Sequence, residues 1–281
     1  MLKIVKIVIK KFLPKPALDI VLKLKREKIS LIDLSFVNLI REKDLDYLSN
    51  PKLLESELLL ELGLNNEQLH EFPEELYNFC GYGLLHWQYP KQFSKYLTQI
   101  SKFKIESYLE IGVRHGGTFV ITVEYLEKFH PLKNAVGIDI DYCSSLIRYN
   151  KINPKINFMK VDSQSSQFKE FIKKHTGFDL VFIDGSHEET PCRNDFETVK
   201  DKANIIVFHD ITSDVCPGVG RVWNQVKGMY PDEYQFFEYI DQYKSVGERT
   251  GQVFLGIGMA IKKEYLREIG LSRCIKDFKQ T

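Results

Sequence analysis

Residues 107–118 read SYLEIGVRHGGT, from Ser107 to Thr118, and the reading of this stretch decides the fold. A short run of strand formers carries an acid, Glu110, near its end. A glycine turn follows at Gly112, Gly116 and Gly117, and then the apolar spacing of a helix. Strand, glycine turn and helix in that order open a βαβ unit, and glycine lets the backbone approach a ligand closely. A nucleoside that needs no phosphate cradle suits such a turn.

Downstream the alternation continues. Strand-like runs at 108–111, 135–138, 156–161, 180–183 and 205–208 are separated by helical spacing near 118–129, 143–150, 165–175 and 190–200. Apolar strands between helices imply a parallel sheet covered on both faces. A further helix near 219–229 precedes runs at 234–240 and 253–261. A polar loop holding Gly247 and Gly251 is expected to join these two runs and let the sheet close with an antiparallel strand. The expected fold class is α/β: a doubly wound, seven-stranded, mostly parallel sheet with an antiparallel last strand and a helical N-terminal extension.

Upstream, residues 1–28 form a basic amphipathic segment, with Leu2, Val5, Ile9 and Phe12 at helical spacing and breaks at Pro14 and Pro16. Two readings stand: packing on the body of the protein or on a second subunit, and peripheral attachment to an anionic membrane surface. Residues 29–79 turn acidic, and Leu54, Leu58 and Leu62 mark a helix that Gly63, Asn65 and Asn66 break. The main domain is expected over 80–265, beginning with an aromatic glycine turn (Gly81, Gly83, Trp87, Gln88, Tyr89), and 266–281 is expected to be a tail.

The bulk composition excludes several classes. At 281 residues, 43% apolar, 27% charged and net charge +1, the chain has an ordinary globular balance rather than that of a disordered tail or a dedicated nucleic-acid binder. Its 5 scattered cysteines show no C-x-x-C pairing, which points to reduced thiols rather than disulfides or a zinc site. Lysines interrupt the apolar start, so a signal peptide is not expected and the expected location is cytoplasmic, with residues 1–28 able to reach the inner face of a membrane.

Polar residues gather where the strands end. Glu110 closes the first, Asp139 and Asp141 the second, Asp162 and Ser163 the third, Asp184 with His187 the fourth, and His209 with Asp210 the fifth. Ligands of open α/β sheets bind at these carboxyl ends, and Asp139 follows Gly112 at close to the separation at which an acid meets ribose hydroxyls.

The series YLEIGVRHGGT, VGIDID, KVDSQS, FDLVFIDGSH and IIVFHD resembles the class I S-adenosylmethionine-dependent methyltransferases over about residues 80–262. Within them it is most similar to the branch of metal-dependent sugar O-methyltransferases and cephalosporin hydroxylase-like proteins. The resemblance implies a Rossmann-like fold and S-adenosylmethionine as cofactor. It places Glu110, Gly112 and Gly116 at the methionine end, Asp139 at the ribose, and Asp162 with Ser163 at the adenine. It makes Asp184 and Asp210 ligands of Mg2+ or Mn2+ and His187 the candidate general base, with a structural brace of Asp184 as the alternative. His209 departs from the pattern, which has a second acid there. That leaves manganese, a different base or no metal open, and His209 joins Asp184 and His187 as a candidate catalytic residue.

The implied activity is methyl transfer to a hydroxyl of a sugar or nucleotide-linked sugar. The implied partners are a small-molecule, saccharide-like acceptor and a second copy of the chain, with no nucleic acid. Alternatives within the fold are a hydroxylase-like reaction, a non-sugar acceptor and a non-catalytic scaffold. Arg221, Trp223 and Arg249 are secondary acceptor candidates, and Arg193 with Asp195 is expected to form a surface ion pair.

Overall fold

The computed structural model describes residues 32–271, so the basic segment 1–28 and the end of the tail lie outside the described residues. Seven strands run β1 (Ser107–Ile111), β2 (Asn134–Asp139), β3 (Ile156–Lys160), β4 (Phe178–Ile183), β5 (Ala203–Phe208), β6 (Tyr234–Tyr239) and β7 (Ile257–Lys262). They form one sheet in the order β3-β2-β1-β4-β5-β7-β6. Strands β1 to β5 pair in parallel, while β7 is antiparallel to both β5 and β6. This is the Rossmann-like, doubly wound sheet with an antiparallel last strand that the sequence implies.

Apolar runs produce the centre of this sheet because β1, β2, β4, β5 and β7 are buried on both faces, so neither face tolerates a polar alternation, while the edge strands β3 and β6 are only partly buried. Tyr108, Leu180, Phe182, Ile205 and Val207 belong to one core, and Leu109, Ile111, Val181, Ile183, Ile206 and Phe208 to the other. From Pro90 onward the described residues form eight α-helices: α1 (Pro90–Ile100), α2 (Gly117–Phe129), α3 (Ser144–Asn150), α4 (Ser166–Lys174), α5 (Glu189–Val199), α6 (Pro217–Met229), α7 (Lys244–Thr250) and α8 (Lys263–Glu268). Local signals set their starts. Proline takes the first turn of α1 and α6, where its missing N–H costs nothing, and the Ser165 side chain caps α4 by accepting from Phe168 N.

Two expectations at the end of the sheet need correction. The polar segment around Gly247 is helix α7, and Gly251, at φ 70°, ends it in the left-handed conformation. Strand β7 starts at Ile257 rather than Val253. Positive φ at Leu255 and Gly256 turns residues 253–256 away from the sheet, and they pair instead with the loop after β5. Ile211 N donates to Gly256 O at 3.2 Å, Thr212 N to Leu255 O at 3.1 Å and Asp214 N to Val253 O at 2.9 Å.

The N-terminal extension shares the core of one sheet face. Leu54, Leu58 and Leu62 are buried on a helical stretch that widens to π geometry over Leu54–Leu58. Arg41 grips Glu124 of α2 with two hydrogen bonds, at 2.7 and 2.6 Å, and Tyr149 OH donates to the same carboxylate at 2.7 Å. Residues 63–89 then form an irregular strap across the start of α2. A side chain at Gly117 would put a Cβ 2.0 Å from Leu84 O, so only glycine lets the strap lie this close. A third apolar cluster, including Phe72, Tyr89, Phe254 and Leu255, seats the strap on the 253–256 segment.

Strand β4 also carries acids at both ends. At its start, Asp179 Oδ2 accepts from Glu106 N at 2.8 Å, Ser107 N at 2.9 Å and Ser107 Oγ at 2.9 Å, which ties β4 to the entry of β1. At its other end the chain enters the cleft.

Candidate active site

The order of strands reverses between β1 and β4, and the cleft for a ligand opens beyond their carboxyl ends. Backbone hydrogen bonds continue the ladder past the strand ends and fix the loops there. Gly112 N donates to Ile138 O at 2.9 Å, Asp184 N to Ile111 O at 2.8 Å and His209 N to Ile183 O at 3.1 Å. Gly112 has φ 86°, and a Cβ there would lie 2.1 Å from Asp184 O. The need for glycine at this position is thus set by the close passage of the β4 loop as well as by the dihedral.

On the β1–β2 side, Asp139 is partly buried and its carboxylate is aimed by two backbone amides. Arg114 N donates to Oδ2 and Asp141 N to Oδ1, each at 2.8 Å. Each oxygen retains a lone pair with which to accept a further hydrogen bond. Glu110 is fully buried, is bonded to Tyr108 OH, and keeps Oε1 without a partner. Burial pushes its carboxyl well above the usual range, against the Tyr108 hydrogen bond. Asp162 is exposed and accepts from Gln164 N at 2.8 Å, while Ser163 Oγ accepts from Gln164 Nε2 at 3.1 Å. That Gln164 also binds Asp195, which is fully buried, so Arg193 pairs with Glu189 and not with Asp195 as expected.

On the β4–β5 side four groups converge. His209 Nδ1 lies 3.1 Å from Asp184 Oδ1 and 3.4 Å from Asp210 Oδ2. His187 Nε2 lies 3.2 Å from Asp210 Oδ2 and 3.6 Å from Asp184 Oδ1. Its other nitrogen meets Cys216 Sγ at 3.3 Å, a contact with no sequence signal of its own. Asp210 takes φ 61°, a left-handed conformation rare for a residue with a Cβ, which turns its carboxylate back toward the histidines. Burial would lower His209, but the charges of Asp184 and Asp210 outweigh it and hold the imidazole well above its ordinary value. The Asp184 carboxylate and Cys216 push His187 up to about 11, with burial opposing and Asp210 adding. Burial would raise Asp184, and the His209 charge with the hydrogen bonds of both imidazoles overrides it and lowers that carboxyl.

Asp184, His209 and Asp210 can each present one ligand atom within 4.8 Å of the others, as can His187, Asp210 and Cys216. Two carboxylates with imidazole fit a divalent cation, and the nitrogen suits manganese better than magnesium. His209 Nε2 is buried without a partner. The Glu110 orphan oxygen and the aimed Asp139 carboxylate likewise fit a nucleoside cofactor with a polar tail.

The secondary candidates have partners within the chain. Trp223 is buried against Phe208 and Phe236. Arg221 binds Glu189 at 2.5 Å, and Arg249 binds the carbonyls of His70 and Phe72, each at 2.7 Å. The strap supplies two residues that the sequence did not single out. Glu67 bonds Arg114 and His115 of the glycine turn, and Glu71 is buried and accepts from Trp87 Nε1 at 2.8 Å.

A protein-family model described as a methyltransferase domain matches residues 109–211. The uncharacterized protein R132 of Acanthamoeba polyphaga mimivirus is 28% identical over 173 residues, which cover 54% of this chain and 72% of that protein. Among solved structures, an O-methyltransferase from Bacillus cereus in complex with S-adenosylhomocysteine matches 61% of this chain and 80% of its own, at 15% identity and a TM-score of 0.43. The MycE methyltransferase of the mycinamycin biosynthetic pathway, in complex with Mg and S-adenosylhomocysteine, matches 64% of this chain and 51% of its own, at 18% identity and a TM-score of 0.41.

Proposed function

We propose, from the premise that residues 109–211 are a methyltransferase domain, that the protein moves the methyl group of S-adenosylmethionine to a hydroxyl of a small saccharide-like acceptor. The observation that carries this reading is the convergence of Asp184, His187, His209 and Asp210 at the ends of β4 and β5, next to the glycine turn of β1.

Glu110, Gly112 and Gly116 hold the methionine end of the cofactor in this reading, Asp139 the ribose, and Asp162 with Ser163 the adenine. When bound, the sulfonium supplies a methyl group for direct displacement, so the protein's task is to align the acceptor, take its proton and exclude water. Asp184 and Asp210, with His209 beside them, are the residues that would hold a divalent cation, which would polarise the acceptor hydroxyl and lower its pKa.

His187 is the general base of this scheme. In the arrangement described, its two carboxylate neighbours keep it protonated at neutral pH, as a donor that holds the acid pair together. A cation held by Asp184 and Asp210 would take up the charge that keeps His187 protonated, and the imidazole would then be able to accept the hydroxyl proton. Turnover should therefore require added divalent metal. S-adenosylhomocysteine formation is the measurement, with manganese or magnesium against a chelator, across free sugars and nucleotide sugars. Equal turnover with and without chelator removes the metal from the scheme. Failure of the protein to bind S-adenosylmethionine by calorimetry removes the methyltransferase reading.

A further inference from the structure

Two donor sets meet at the ends of β4 and β5, and only the first, Asp184 with His209 and Asp210, takes part in holding a cation for the proposed reaction. His187, Asp210 and Cys216 form the second, and each of these three can likewise present one ligand atom within 4.8 Å of the others. Asp210 belongs to both sets, whereas His187 and Cys216 belong to the second alone.

The backbone brings the second set together. Two successive turns lead from Asp210 to Cys216: Ser213 N donates to Asp210 O at 3.2 Å, and Cys216 N donates to Ser213 O at 3.1 Å. Between them Asp214 N ties the loop to Val253 O at 2.9 Å. Cys216 precedes Pro217 at the start of α6, and that start lies against the segment carrying His187. A Cβ at Gly218 would fall 2.4 Å from His187 O and 2.7 Å from Glu189 N, so glycine there lets α6 come close enough for the thiol to meet the imidazole. Arg221 and Gln225 of α6 both reach Glu189, at 2.5 and 3.2 Å, and hold the two segments together. Cys216 Sγ consequently lies 3.3 Å from one imidazole nitrogen of His187, and Asp210 Oδ2 lies 3.2 Å from the other. Cys216 and Asp210 are buried, while the His187 side chain is 44% exposed and gives a cation from solvent its way in.

The two sets differ in the cation they suit. Two carboxylates with one imidazole favour manganese or magnesium, whereas a thiolate with imidazole and a single carboxylate favours zinc and other thiophilic ions. Three protein ligands leave one tetrahedral position of zinc to water, which is the pattern of an exchangeable site rather than a closed structural one. On ligation the thiol proton and the His187 proton leave to solvent, and the cation supplies the positive charge that the imidazolium gave to the neighbouring carboxylates. The spacing of the cysteines carries no sign of this set, because the partners of Cys216 come from the ends of β4 and β5.

We propose that His187, Asp210 and Cys216 form a binding site for a thiophilic divalent cation of the zinc type, and that its occupation inhibits turnover by making the His187 imidazole a ligand. The cation site stands on the geometry of the three side chains; the inhibition rests on the methyltransferase reading and on His187 as its base.

The test uses the full chain, stripped of metal and kept reduced with a phosphine. Cobalt(II) is the probe, because a thiolate ligand gives it a near-ultraviolet charge-transfer band that carboxylates and imidazoles do not. The natural protein should show this band, and added zinc should abolish it. Cys216→Ser should lose the band, while His209→Gln, altered only in the first set, should keep it. Thermal melting of both variants separates a lost ligand from lost folding. In turnover with manganese, the half-inhibitory zinc concentration, read against each protein's own zinc-free rate, should rise at least about tenfold in Cys216→Ser. A natural protein without the band, a band that survives in Cys216→Ser, or a band lost from folded His209→Gln overturns the site. Equal zinc sensitivity of the natural protein and Cys216→Ser overturns the inhibition. Failure of band-forming protein to bind S-adenosylmethionine removes the methyltransferase reading, and the inhibition with it, while the cation site stands.

Discussion

Strand β4 begins beside Asp179 and ends beside Asp184, and the two aspartates are satisfied in different ways. Asp179 Oδ2 takes three hydrogen bonds at 2.8 to 2.9 Å, two from backbone N–H groups and one from Ser107 Oγ, Oδ1 takes a longer one from Asn204 Nδ2, and none of these donors titrates near neutral pH. Asp184 faces two imidazoles, at 3.1 and 3.6 Å, whose charge can change. One acid closes the amino-terminal edge of the sheet, and the other is held only by side chains that can lose their charge. Placement at a strand end is therefore not the mark of function. What separates the two aspartates is whether the carboxylate is paired by fixed or by titratable donors.

The largest expected break of this comparison is His187→Ala. Turnover should fall by about 10²–10⁴, the usual worth of a general base, with cofactor affinity nearly intact. Steady-state kinetics beside calorimetry reads both, and retained turnover would place His187 with Asp179 as structural.

A second histidine sharpens the contrast. His86 of the strap is fully buried, and its Nε2 meets Leu59 O at 2.8 Å. Burial lowers its pKa to about 4, with the Leu59 contact opposing. The unfolded chain then binds more protons between roughly pH 6.5 and 4, so stability present above that window is lost as pH falls through it. The loss approaches about 3 kcal/mol, from the usual 1.4 kcal/mol per unit. Urea unfolding at several pH values should show this slope in the natural protein and a shallower one in His86→Gln; parallel slopes would refute it.

At the opposite edge, Asp179→Ala should cost about 2 kcal/mol by leaving the donors of Glu106, Ser107 and Asn204 without their acceptor. Chemical denaturation measures that cost, and the specific activity of the folded fraction should not change. The smallest expected effect is Asp139→Asn, which keeps the oxygen facing one amide but removes the charge. Affinity for S-adenosylmethionine should fall about tenfold, near 1.4 kcal/mol, while the melting temperature without cofactor stays put.

The sheet was legible in the sequence because its central strands are buried on both faces, so continuous runs such as Leu180–Ile183 admit few other readings. The strand-end acids were legible for the same reason, since a polar residue closing an apolar run marks the edge of the sheet. The strap was not. Its short turns at Leu69–Glu71 and Glu74–Phe79 are held by long-range contacts, such as Arg249 to residues 70 and 72, that leave no periodicity behind. Glu71 looked like one acid among many in an acidic stretch, and only burial distinguishes it. Helix α7 was missed because Gly247 and Gly251 read as a loop, whereas one lies inside the helix and the other terminates it.

The most direct measurement compares Asp184→Asn with Asp179→Asn. Each variant is incubated with labelled S-adenosylmethionine, manganese and the sugar panel, and S-adenosylhomocysteine and methylated sugar are counted per folded molecule. Product from Asp179→Asn at the natural rate and none from Asp184→Asn is the predicted result. Natural turnover in Asp184→Asn would contradict the assignment of chemistry to the carboxyl ends of β4 and β5.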